Sequence, residues 1–66
     1  MTMLKVLLTA AQRDSLRARI KNAGLPVEFR EADGILIMIL NNLSHAHTLR
    51  EVLDSEGVRV LYDADW

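Results

Sequence analysis

The run Ile35-Leu36-Ile37-Met38-Ile39-Leu40 constrains this chain more than any other feature: six apolar residues without a break, Asp33-Gly34 before them and Asn41-Asn42 after. Successive side chains of a β-strand point to opposite faces, so a strand with no polar residue needs apolar cover on both sides. The run is far shorter than the roughly 20 residues that cross a bilayer. Its isoleucines and its turn-forming flanks favour a strand over a buried helix. Helices in so short a chain cover one face of that strand, and what covers the other becomes the functional question.

Sixty-six residues make one domain, 1–66, near the lower limit for burying enough surface to fold alone. Help from a partner or a second copy is therefore expected. The absence of cysteine removes disulfides and thiolate metal sites. Residues 1–5 lead into a few apolar residues and then a charged helix, a pattern of neither signal peptide nor anchor, so the expectation is a soluble cytoplasmic protein without a membrane role. Eight basic and nine acidic side chains give a formal charge of −1, with no general pull toward nucleic acid or anionic lipid.

Met3 to Leu8 reads as a first strand, nearly as apolar as the central run. Thr9-Ala10-Ala11-Gln12 has the form of a capping box and predicts a helix start. Leu16, Ile20 and Ala23 recur at helical spacing, and Gly24 followed by Leu25 predicts a left-handed helix end. Pro26 to Glu31 alternates, with Val27 and Phe29 on one face and Glu28 and Arg30 on the other, and its proline suits an edge strand.

The turn into the central run has two readings. A two-residue Asp33-Gly34 loop pairs Phe29 with Met38. A three-residue loop ending in left-handed Gly34 pairs Phe29 with Ile37 instead. The second is preferred, because it gathers Val27, Phe29, Ile37 and Ile39 on one face.

A second helix carries Leu49, Val52 and Leu53 inward, capped by Asn42 or Ser44, and ends at Gly57. Val58 to Tyr62 alternates as a last strand. Residues 63–66 read as an acidic C-terminal tail carrying Trp66.

Laid over each other, the two halves align Leu16 with Leu49, Arg17 with Arg50, Ile20 with Leu53, Gly24 with Gly57, Val27 with Val60 and Phe29 with Tyr62. Two strand-helix-strand units of one design give βαββαβ, an α+β ferredoxin-like two-layer sandwich. Its antiparallel sheet has the order 4-1-3-2, with both helices on one face. Composition agrees, since the first and third strands are the most apolar and the outer two alternate.

With Ile35, Ile37 and Ile39 assigned to the helix side, the bare face carries Met3, Leu7, Leu36, Met38, Leu40 and Leu61, bordered by charges including Arg59. An apolar area with a charged rim marks an interface once it exceeds a few hundred Å². These residues, with Trp66 as a further anchor, predict a homodimer or a partner-binding surface. The expected function is a small non-enzymatic interaction module: a regulator, inhibitor or scaffold.

Other chemistry is weaker. His45 and His47 are two residues apart on a helix, so their imidazoles diverge by about 200° and cannot share an ion; neither metal nor cofactor is expected. Arg13, Arg17 and Lys21 form a basic row that could grip phosphates or an acidic partner, which makes a nucleic-acid-associated regulator the alternative. The bare sheet face carries no aromatic at the central positions where bases stack, which disfavours single-strand RNA. Neither a phosphate loop nor a nucleophile with a credible base is present.

Overall fold

A computed structural model describes all residues from Met1 to Trp66. The chain runs β1 (Thr2–Leu7), α1 (Ala10–Ala23), β2 (Glu28–Ala32), β3 (Ile35–Leu40), α2 (Leu43–Ser55) and β4 (Arg59–Asp65). Its four-stranded antiparallel sheet has the order β2-β3-β1-β4, the ferredoxin-like arrangement expected from the strand and helix pattern. No helix is long and apolar enough to cross a membrane.

Local chemistry explains the helix boundaries. Thr9 Oγ1 accepts from the Gln12 amide at 3.2 Å, and the Gln12 side chain accepts in return from the Thr9 amide at 3.0 Å, so two amides that α1 leaves unpaired are satisfied. Its other end closes at Gly24, whose φ of +67° lets the Leu25 amide reach back to the Ile20 carbonyl. For α2 the cap is Asn42, whose Oδ1 accepts from the amides of Ser44 and His45 at 2.8 and 3.3 Å. The Val58 amide closes this helix on the Leu53 carbonyl in the same way.

The buried cluster lies between helices and sheet. Leu4 and Val6 of β1 meet Leu36, Met38 and Leu40 of β3 under Leu16 and Ile20 of α1 and Leu49, Val52 and Leu53 of α2. Leu36, Met38 and Leu40 are at most 2 % exposed. The expected placement of β3 is therefore reversed: these three residues face the helices, and Ile35, Ile37 and Ile39 face away.

The β2–β3 loop is the reason. Ala32 pairs with Ile35, leaving Asp33 and Gly34 as a two-residue turn, and Phe29 stands opposite Met38. Both turn residues have positive φ, +53° and +77°, the type I′ geometry whose twist matches that of the strands it joins. Shifting a register by one residue moves every side chain to the other face. The three-residue loop preferred from sequence is thus incorrect, while Val27 and Phe29 do pack against the buried cluster as expected.

The fourth strand also departs from expectation. It continues to Asp65, so residues 63–65 are strand and not a tail. Its ladder with β1 shifts between Lys5, opposite Tyr62, and Val6, opposite Val60. Leu61 is left with no opposite residue. The bulge turns Tyr62 to the bare face and brings Asp63 and Asp65, opposite Leu4 and Thr2, to the helix side.

Candidate interface on the open sheet face

Ladder pairing arranges the uncovered face into three rows that run across the sheet from β2 to β4: Glu28, Ile39, Met3 and Ala64; Arg30, Ile37, Lys5 and Tyr62; Ala32, Ile35, Leu7 and Arg59. The two central strands therefore present Ile35, Ile37, Ile39, Met3 and Leu7 as one apolar patch, with a single charge, Lys5, among them. That charge is displaced sideways: the Lys5 ammonium sits over the Tyr62 ring, 5.2 Å from its centroid, so its aliphatic stem lies on the patch and its head at the border. Glu28 and Arg30 form an ion pair at 3.0 Å on the opposite border.

Of the residues expected on this surface, Met3 and Leu7 lie within it and Arg59 at its corner opposite Leu7. Leu61 projects from the bulge, 44 % exposed. Leu36, Met38 and Leu40 do not belong to it, being buried under the helices. Trp66 is not a tail residue: its amide and carbonyl pair with the Met1 carbonyl and amine at 2.8 and 2.7 Å, while its ring is exposed. Sequence reasoning missed the three isoleucines and Tyr62; the Asp33-Gly34 pair was the signal for the isoleucines.

Two ion clusters seal the edges of the helix side, where two helices cannot cover four strands. At the β2 edge Arg13 pairs with Glu31 and Arg17 stacks 5.8 Å from the centroid of Phe29. At the β4 edge Arg50 donates to both carboxylate oxygens of Asp63 at 2.9 and 2.7 Å, and to Asp65 at 2.8 Å. The buried Thr2 hydroxyl donates to the same Asp65 oxygen. That hydrogen bond, with Arg50 adding to it, holds the Asp65 carboxyl below its ordinary value of 3.8. The hydrogen bonds it donates to Asp63 and Asp65 raise the guanidinium of Arg50 above its usual range.

The basic row of α1 is thus mostly engaged within the chain, and Lys21 stands exposed at its last turn. His47 lies beside Arg50 at 3.4 Å, whereas His45 is half-buried with Nδ1 unpartnered. A cleft of about 470 Å³ at one end of the sheet is lined by Met1, Pro26, Val27, Glu28, Ile39, Asn41, Asn42 and His45.

Comparison with protein-family models, curated protein sequences and solved structures finds no match for this chain.

Proposed function

We propose that this chain is a small non-enzymatic interaction module, a regulator, inhibitor or scaffold, acting through the open face of its sheet by self-association or by binding a partner protein. One observation carries the reading: β3 is apolar on both sides, and the helices cover only one of them. Four strands about 4.8 Å apart and about 20 Å long present roughly 400 Å² of sheet, and the two central strands, about half of it, carry the apolar residues. The isoleucines and Met3 supply apolar area, and the charges around them lie at borders where water still reaches. The nucleic-acid alternative draws less support, because Arg13 and Arg17 already have partners in the chain.

A photoreactive benzophenone side chain at position 37, added as full-length protein to an extract of the cells that produce it, tests the reading. A discrete protein adduct is expected there, and none from the same group at the exposed helix position Glu51. Absence of any adduct at position 37, with itself or with another protein, overturns it.

A further inference from the structure

We infer that the open face takes an acidic amphipathic helix of a partner protein, laid along β3 and β1 with its apolar stripe on the isoleucines and its carboxylates toward Arg30, Lys5 and Arg59. This inference rests on the interaction-module reading and adds to it the chemistry of the partner.

Charge selects the occupant. The three rows of the face hold three cations, Lys5, Arg30 and Arg59, and one anion, Glu28, a local balance of +2. The whole chain has a formal charge of −1, so the rest of its surface is net acidic and the bare sheet is its positive side. Surfaces that recognise each other carry opposite potentials, which calls for a negative partner. A second copy would present the same positive face.

The cations also sit where a particular shape can use them. Ile39, Ile37 and Ile35 of β3, beside Met3 and Leu7 of β1, form an apolar stripe that runs along the strands. Arg30 borders it on the β2 side. Arg59, and Lys5 drawn over the Tyr62 ring at 5.2 Å, border it on the β4 side. The matching ligand is apolar down its middle and acidic on both flanks. Arg30 can serve it, because its pair with Glu28 stands in the open, the two side chains 65 % and 56 % exposed, and exchanging one surface carboxylate for another costs little.

Backbone chemistry makes that ligand a helix. β1 and β3 each have a strand on both sides and leave no free ladder positions for a segment lying over them, so such a segment must pair its own amides and carbonyls. A helix about 10 Å across fits the two strands, about 4.8 Å apart, that carry the stripe, and three turns, about 16 Å, follow the length of β3. Apolar residues at helical spacing with Asp or Glu beside them supply the pattern, and the sheet then has helices on both faces. Nucleic acid fits less well, because isoleucines stand where bases would stack on aromatics. An anionic membrane does too, because the three isoleucines are half-buried and do not project into an acyl layer.

Two labelled synthetic peptides of about four helical turns test this, identical in a leucine stripe and carrying either glutamate or lysine on both flanks. Fluorescence anisotropy with the full chain at low salt should show the glutamate peptide binding about tenfold tighter than the lysine peptide, a preference that shrinks as salt rises to about 0.5 M. Arg30→Glu and, separately, Arg59→Glu should each weaken that binding about fivefold, and Ile37→Asp roughly a hundredfold, with circular dichroism unchanged. Lys21→Glu, the same change of charge on the exposed end of α1, should leave it as it was. If Ile37→Asp fails to fold, the two arginine variants still decide. No binding of the glutamate peptide at about 1 mM, equal binding of both peptides, or indifference to both arginine variants overturns the inference. So does tighter binding to phosphatidylserine vesicles or to a single-stranded oligonucleotide, or a wild-type chain that sediments as a dimer. The protein segment captured by the benzophenone at position 37 should be an acidic amphipathic helix. Capture of a neutral or basic segment overturns the inference alone and leaves the interaction-module reading standing, whereas no capture removes both.

Discussion

Arg50 holds Asp63 from two of its nitrogens and Asp65 from one, across 13 and 15 residues of chain. The guanidinium carries the last turns of α2 onto the outer strand, at the margin where no apolar side chain covers the sheet. Both carboxylates sit on the helix side only because the bulge at Leu61 has shifted the strand.

Removing that grip should cost a measurable but modest amount. The Arg50 side chain is about one-quarter exposed and its carboxylate partners more so, which screens the charges. The two-pronged geometry adds to what a simple surface pair contributes, so Arg50→Met should lower stability by about 1 kcal/mol in urea denaturation. Arg50→Lys should recover little of it, since an ammonium cannot reproduce the fork.

Asp65 gives the fold a dependence on acid. Its carboxyl is held below the ordinary 3.8 when folded, by the Thr2 hydroxyl and then by Arg50. The unfolded chain therefore binds its proton more readily, and the stability linked to this group is complete above pH 3.8 and lost as pH falls through the lower folded value. Thermal melts from pH 6 downward, values chosen as about two units above that point, should show the loss starting only near the ordinary value. Asp65→Asn should flatten that part of the profile.

Adjacent residues of β3 should respond in opposite ways. Met38 is fully buried among Leu4, Leu36 and Leu40, so Met38→Ala should cost about 2–5 kcal/mol, and Met38→Asp should unfold the chain. Ile37 lies on the open face, and Ile37→Asp should leave the monomer fold intact. Circular dichroism with urea titration distinguishes the two, and the reverse result would place the isoleucines inside.

The type I′ turn predicts a fourth sensitivity. A Cβ at Gly34 would meet nothing within 4 Å, so its φ of +77° is the only obstacle to substitution. Gly34→Val should therefore destabilise by about 1–2 kcal/mol through backbone strain. Asp33 already occupies φ +53°, and Asp33→Asn, a residue at home in this turn, should be neutral or slightly stabilising in thermal denaturation.

What could be read in the residues follows from where the information lies. Helix ends are written locally: Thr9 with Gln12, Gly24 with Leu25, Gly57 with Val58. The strand order follows from the contrast between the two wholly apolar strands and the two alternating ones. The orientation of β3 is different, because a strand apolar at every position carries no alternation to say which side faces inward. That information resides in Asp33-Gly34, and weighing apolar grouping above turn geometry gave the wrong face.

The last strand hides its form for another reason. Phe29 and Tyr62 align between the two halves of the chain, yet Phe29 packs toward the helices while Tyr62 lies on the open side. One unpaired residue, Leu61, makes the difference. Acidic residues are depleted in strands, so Asp63 and Asp65 look like a tail until Arg50 is seen to hold them from the neighbouring helix. By contrast, Arg17 and Arg50, also aligned, each reach the strand that follows their own helix. The candidate surface was legible in its existence and in Met3 and Leu7, but not in the members that depended on the turn and the bulge.

The break in the β4 ladder bears on how large any assembly can grow. A sheet that offered a regular rung pattern at both margins could recruit copy after copy sideways into a fibre. Here the strand at one margin, β4, is bent by its bulge at Leu61, and the strand at the other is five residues long and bears Glu28, Arg30 and Glu31, features that disfavour growth in that direction.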